Sequence, residues 1–117
     1  MDCEELHERN VREFLAKPPF GYRNIPSGQI GLFASAFVHD SYSNESGAIS
    51  NERLEFLGDA VLELAACRYV YSLTDYGEGK MTDFKQSIVC NRRISESLIS
   101  YGLDIDGIMM VGNGHRD

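Results

Sequence analysis

Apolar residues recur at helical spacing along most of this chain, and no stretch alternates apolar and polar residues convincingly enough to read as a half-buried strand. Residues 3–17 space Leu6, Val11, Phe14 and Leu15 at a loose helical period and stop against Pro18 and Pro19. Residues 18–28 hold three prolines and two glycines and read as a loop. The short apolar run at 29–38 is expected to be helical, because Ala34, Ser35 and Ala36 are small and unbranched. Residues 39–50 are a polar loop by composition. Ser50 or Asn51 then serves as N-cap for a central helix over 51–73.

That helix has two apolar sides. Leu54, Leu57, Val61 and Leu64 form one stripe, and Phe56, Ala60 and Cys67 form a second. Such a pattern predicts a core helix, not a surface one. A turn at 75–79 leads to a helical region over 82–101, broken once, with Phe84, Ile88, Leu98 and Ile99 inward and Gly102 as its cap. Residues 103–107 read as a helix end and loop, and the glycine-bearing tail beyond them continues no pattern. The expected fold class is all-α.

The chain has 117 residues, and a charged content of 25% against 43% hydrophobic residues describes a soluble-type single domain with one modest core. No run approaches the roughly 20 apolar residues of a membrane span. The acidic N-terminus lacks a secretory core segment, so a cytoplasmic location is expected. A net charge of −7 argues against gripping nucleic acid by bulk electrostatics, though not against a local basic strip or bound metal. Cys3, Cys67 and Cys90 are too few and too scattered for a disulfide framework or zinc site, and Cys67 and Cys90 read as small core residues.

The candidate chemistry lies in NERLEFLGDAVLEL, residues 51–64. Glu52, Glu55 and Asp59 stand at i, i+3 and i+7, which places them within an arc of about 60° on a helix. Asp59 is flanked by Phe56, Leu57, Ala60, Val61 and Leu62, and an aspartate buried there would cost several kcal/mol unless paired or metal-bound. Arg53, six residues away, points elsewhere. Magnesium and manganese take oxygen ligands of this kind. Glu63 extends the stripe. Gly58 costs about 1 kcal/mol in a helix interior, which close packing against another backbone would explain. His39, Asp40 and Ser41 have the residue types of a hydrolytic triad but are adjacent, so a His39 that hydrogen-bonds the loop before the central helix is expected. His7 and His115 read as isolated and exposed.

NERLEFLGDAVLEL resembles the signature helix of the ribonuclease III family. Phe37-Val38-His39-Asp40-Ser41-Tyr42 is similar to the family's Thr-His-x-Ser-Tyr element, with valine in place of threonine. Gly79-Lys80-Met81-Thr82, continuing through Ser87-Ile88-Val89-Cys90-Asn91, resembles a third family segment, so the likeness spans about residues 5–112.

The resemblance implies a ribonuclease III-type helical endonuclease domain that forms a homodimer. Such a domain cleaves double-stranded RNA with Mg2+ or Mn2+ and leaves 5′-phosphate ends. It implies Glu55 as a metal ligand, Asp59 as a catalytic, metal-linked carboxylate, and Glu52 at the valley edge. Phe56 would enter the partner at the dimer contact, and Lys85, Asn91 and Arg92 would meet substrate backbone or phosphate.

The family's second acidic pair, of the form D-x-x-E, does not appear; Asp104, Asp106 and Asp117 do not reproduce it. The expectation is therefore one ribonuclease III-like domain over 1–117, C-terminally shortened and cleaving poorly by itself. A non-catalytic relative that dimerises or binds structured RNA is the alternative reading. A helical interaction protein using its acid stripe for partner contacts is the third.

Overall fold

The computed structural model describes residues 1–113. Helices are α1 (Cys3–Ala16), α2 (Ile30–Ser35), α3 (Asp40–Ser46), α4 (Glu52–Leu73), α5 (Glu78–Val89), α6 (Asn91–Ser100) and α7 (Ile105–Ile108). Among the described residues the only β-type pairing is one parallel bridge between Val38 and Met110, so the fold is all-α as expected. The chain divides into two compact units: Met1–Glu55 with the segment from Asp104 onward, and Phe56–Leu103.

In the first unit, Asp2 caps α1 by accepting from the Glu5 amide at 2.7 Å. The inward face of α1 carries Val11, Phe14 and Leu15, which meet Ile25, Ile30, Ala34 and Val38 in a small core. Phe14 stacks obliquely on Phe20 and edge-on to Phe37, with centroids 5.5 and 5.7 Å apart. Burying a side chain such as Val11, which is fully enclosed, contributes roughly 1.5–3 kcal/mol. His7 is buried too, contrary to its expected exposure, and its Nε2 lies 3.0 Å from the Ile108 carbonyl, tying α1 to α7.

The 29–38 run forms a shorter helix than its composition predicts, ending at Ser35, and a tight turn then carries the chain to the Val38 bridge. Residues 39–50 are not a plain loop. His39 Nδ1 accepts from the Ser41 amide at 3.1 Å and so caps α3, which Gly47 terminates in the left-handed region at φ 78°. His39 is thus structural, as expected, and its side-chain bonds to Ser41 fall within the stretch before α4, where they cap a helix the composition does not suggest.

Residues 110–113, where the sequence pattern offers no element, are tied down by hydrogen bonds. Met110 donates to the Phe37 carbonyl and accepts from the His39 amide, both at 2.9 Å. Gly112 and Asn113 then donate to Ser41 Oγ at 2.8 Å and Glu45 Oε2 at 3.0 Å. Asp104 is no loose loop acid, since its side chain caps α7 through the Gly107 amide. His115 and Asp117 lie outside the described residues.

In the second unit, α5 and α6 pack together, separated by the break at Cys90 that the sequence pattern predicts. Gly102, at φ 72°, closes α6: Leu103 donates to the Leu98 carbonyl at 3.0 Å and Gly102 to Ile99 at 2.9 Å, the paired bonds of a Schellman motif. Phe84, Ile88 and Leu98 are half-buried, but Ile99 is exposed. Only Ala66 and Val70 of α4 are buried, so α4 is not the core helix its two apolar stripes suggest. Apolar patterning reports that a face suits burial; it does not say which partner covers it.

Candidate functional site

The start of α4 explains why the acids share one helix. Ser50 Oγ accepts from the Glu52 amide at 3.3 Å and the Asn51 carbonyl accepts from Glu55 at 2.7 Å. Asn51 also reaches back with its side-chain amide to the Ala36 carbonyl at 3.3 Å. Glu52 and Glu55 fall in the first turn, where the amide ends of the helix favour negative charge. Asp59 follows Glu55 by four residues, so their Cβ atoms are helix-face neighbours about 5–6 Å apart.

Glu52, Glu55 and Asp59 are all exposed. This corrects the argument that Asp59 is buried among apolar groups. Phe56, Leu57, Val61 and Leu62 flank it in sequence, but they too face solvent, so Asp59 carries no burial cost needing compensation. Phe56 is 84% exposed, and with Leu57, Val61 and Leu64 it makes α4 strongly apolar beside its acids. An alanine methyl at Gly58 would meet nothing within 4 Å, so no backbone among the described residues packs there.

The donor chemistry of these carboxylates, oxygen without thiolate or imidazole, fits part of the shell of a hard divalent cation. The donor number does not complete one. Among the described residues no three His, Cys, Asp or Glu side chains converge as a metal centre.

Lys85 is already engaged. Its Nζ lies 2.8 Å from Glu63 Oε1, and this hydrogen bond, opposed by partial desolvation, holds the ammonium above its usual 10.5. Nothing in the linear pattern signals that pairing, because the partners lie 22 positions apart on different helices. Asn91 opens α6 and is exposed, while Arg92 beside it makes a surface pair with Glu96 at 3.2 Å. Cys67 and Cys90 are exposed rather than core. Cys67 lines a mostly apolar cavity of about 380 Å³ with Val70, Tyr71, Met81 and Lys85, so its apolar setting is real but uncovered.

The triad-like residues do touch: Ser41 Oγ is 2.8 Å from His39 Nδ1. Ser41 Oγ also receives the Gly112 amide, so this contact belongs to the α3 cap and the docked tail. No helix among the described residues is long and apolar enough to cross a membrane.

Comparison with known proteins gives these motifs a context. A family model described as Ribonuclease-III-like matches residues 29–117. The protein named Ribonuclease 3 of Halalkalibacterium halodurans is 42% identical over 97 residues, covering 80% of this chain and 36% of that protein. Ribonuclease 3 of Oceanobacillus iheyensis is 40% identical over 104 residues, covering 86% of this chain and 45% of its own length. Ribonuclease 3 of the onion yellows phytoplasma is 34% identical over 96 residues, with 80% and 40% covered. The chain therefore spans less than half the length of these curated relatives. No solved structure matches it significantly. Since the family match takes in α2 through α7 and every acid of the α4 stripe, the chain belongs to the ribonuclease-III-like family.

Proposed function

We propose that this chain is the signature portion of a ribonuclease III-type endoribonuclease domain that hydrolyses double-stranded RNA, leaving 5′-phosphate and 3′-hydroxyl ends. The observation that supports this reading best is the solvent-facing stripe of Glu52, Glu55 and Asp59 along α4, in a chain of this family. Residues 1–117 are read as one such domain, incomplete in its acid set. An RNA-processing role suits a cytoplasmic protein.

In this reading Glu55 and Asp59 supply adjacent carboxylates for Mg2+ or Mn2+, and further oxygen ligands come from outside this pair. A bound ion of that kind would supply Lewis-acid polarisation of the phosphoryl oxygen and a more acidic water. Glu52 borders the substrate valley. Asn91 and Arg92, exposed at the start of α6, are the proposed phosphate-facing groups; the Arg92–Glu96 pair is solvent-screened and readily exchanged for phosphate. Phe56 and its exposed apolar neighbours are the proposed homodimer contact.

The second reading is a non-catalytic member that dimerises or holds structured RNA, favoured by the exposed apolar residues Phe56, Leu57, Val61 and Leu64 of α4. Cleavage of long double-stranded RNA in magnesium, beside an Asp59→Asn control, separates the two. Cutting that disappears in the control supports the nuclease. RNA retention and self-association without cutting support the second reading and refute the first.

A further inference from the structure

Among the described residues there are three ion pairs, and two of them, Arg9–Glu13 and Arg92–Glu96, join residues of a single helix on exposed surface. Lys85–Glu63 differs: it bridges α5 and α4, and the lysine side chain is only 17% exposed against 48% for the glutamate. The Lys85 stem forms one wall of the cavity that Cys67, Val70 and Met81 also line. Glu63 stands one helical turn beyond Asp59. Left without its partner, it would lengthen the α4 stripe to four carboxylates: Glu52, Glu55, Asp59 and Glu63.

Resting on the functional reading above, we propose that Lys85 is a positioning residue, not a phosphate contact: it holds Glu63 against α5 and keeps a fourth carboxylate out of the stripe. Phosphate contact would require Lys85 to break a 2.8 Å charge-assisted hydrogen bond and to leave a partly enclosed stem. Withdrawing Glu63 matters because a hydrolytic cation must keep water among its ligands. Two carboxylates from α4 leave room for that water better than three.

The test uses manganese binding to the 117-residue chain without RNA, read from the paramagnetic signal of free Mn2+, together with retention of a double-stranded RNA. Parent protein is compared with Asp59→Asn, Lys85→Met, Lys85→Arg and Lys85→Met/Glu63→Gln, with circular dichroism confirming that each folds. An unpaired carboxylate at i+4 acts on a divalent charge about twice as strongly as on a single one. Lys85→Met is therefore expected to tighten manganese binding about two- to fivefold. The double variant should return to the parent value and Lys85→Arg should remain there, with RNA retention unchanged in all three. Unchanged manganese affinity in Lys85→Met overturns the proposal. So does a several-fold loss of RNA retention with a shallower salt dependence, the mark of a phosphate contact. Manganese binding that is the same in parent and Asp59→Asn refutes the functional reading itself, and the role of Lys85 falls with it.

Discussion

Replacing Gly112 with alanine would press a methyl group into the docked tail. The added Cβ would lie 2.7 Å from the Ser41 carbonyl oxygen and 2.8 Å from Glu45 Oε2, inside any ordinary van der Waals separation. The Glu45 carboxylate can swing aside, but doing so releases its bond to the Asn113 amide. The Ser41 carbonyl is backbone and cannot swing, so the tail must move and the Gly112 N–H bond to Ser41 Oγ stretches as well. Overpacking of this kind costs about 1–3 kcal/mol and a lost hydrogen bond about 1 kcal/mol more. The total of roughly 2–4 kcal/mol corresponds to a fall in Tm of about 8–16 °C for a chain this size. Thermal melting of Gly112→Ala followed by circular dichroism measures it, with Ser41→Ala as the companion that removes the hydroxyl without adding bulk. A Tm within 2 °C or so of the parent would show that the tail does not rest on α3 as described, and would sink the reasoning.

Gly58→Ala should act in the opposite direction, stabilising the chain by about 1 kcal/mol in urea unfolding, because the new methyl meets open space and alanine favours the helix. Phe56→Ala should leave the stability of the isolated chain within about 0.5 kcal/mol, since the ring is already in water, while reducing self-association in sedimentation experiments. Lys85 gives an alkaline signature. Its pKa is raised on folding by Glu63, so its stabilising contribution is fully present below the ordinary value of 10.5 and is lost as pH climbs through the higher folded value. Comparing pH–stability curves of parent and Lys85→Met should therefore show a gap that closes only at the alkaline end.

Much of this structure was legible in advance, for reasons particular elements make plain. The ends of α1, α4 and α6 carry local chemistry: Pro18 after the first, Ser50 before the second and Gly102 after the third. By contrast, α3 reads DSYSNES, a poor helix by composition. It owes its helical state to the His39 cap and to tail amides that arrive from residues 112 and 113, which no local window contains. His7 misled for the same reason, since its partner carbonyl lies 101 positions away. At the candidate site, the acids and their shared helix were readable from spacing. Their exposure was not, because apolar neighbours in sequence imply burial only where something covers them.

The Val38–Met110 bridge sets an order of events for a chain made from its N-terminus. Its two strands of backbone are roughly 70 residues apart, so closing that loop costs about 4 kcal/mol in chain entropy, which the core around Val38 must offset. At ribosomal speeds of about 5–20 residues per second, the segment that seals α3 emerges some 4–14 s after its docking partner. During that interval residues 56–103, contiguous in the chain, are made before the discontinuous unit can close. A nascent molecule thus holds the Val38 edge open for seconds, which makes the half-made chain a natural client for chaperones.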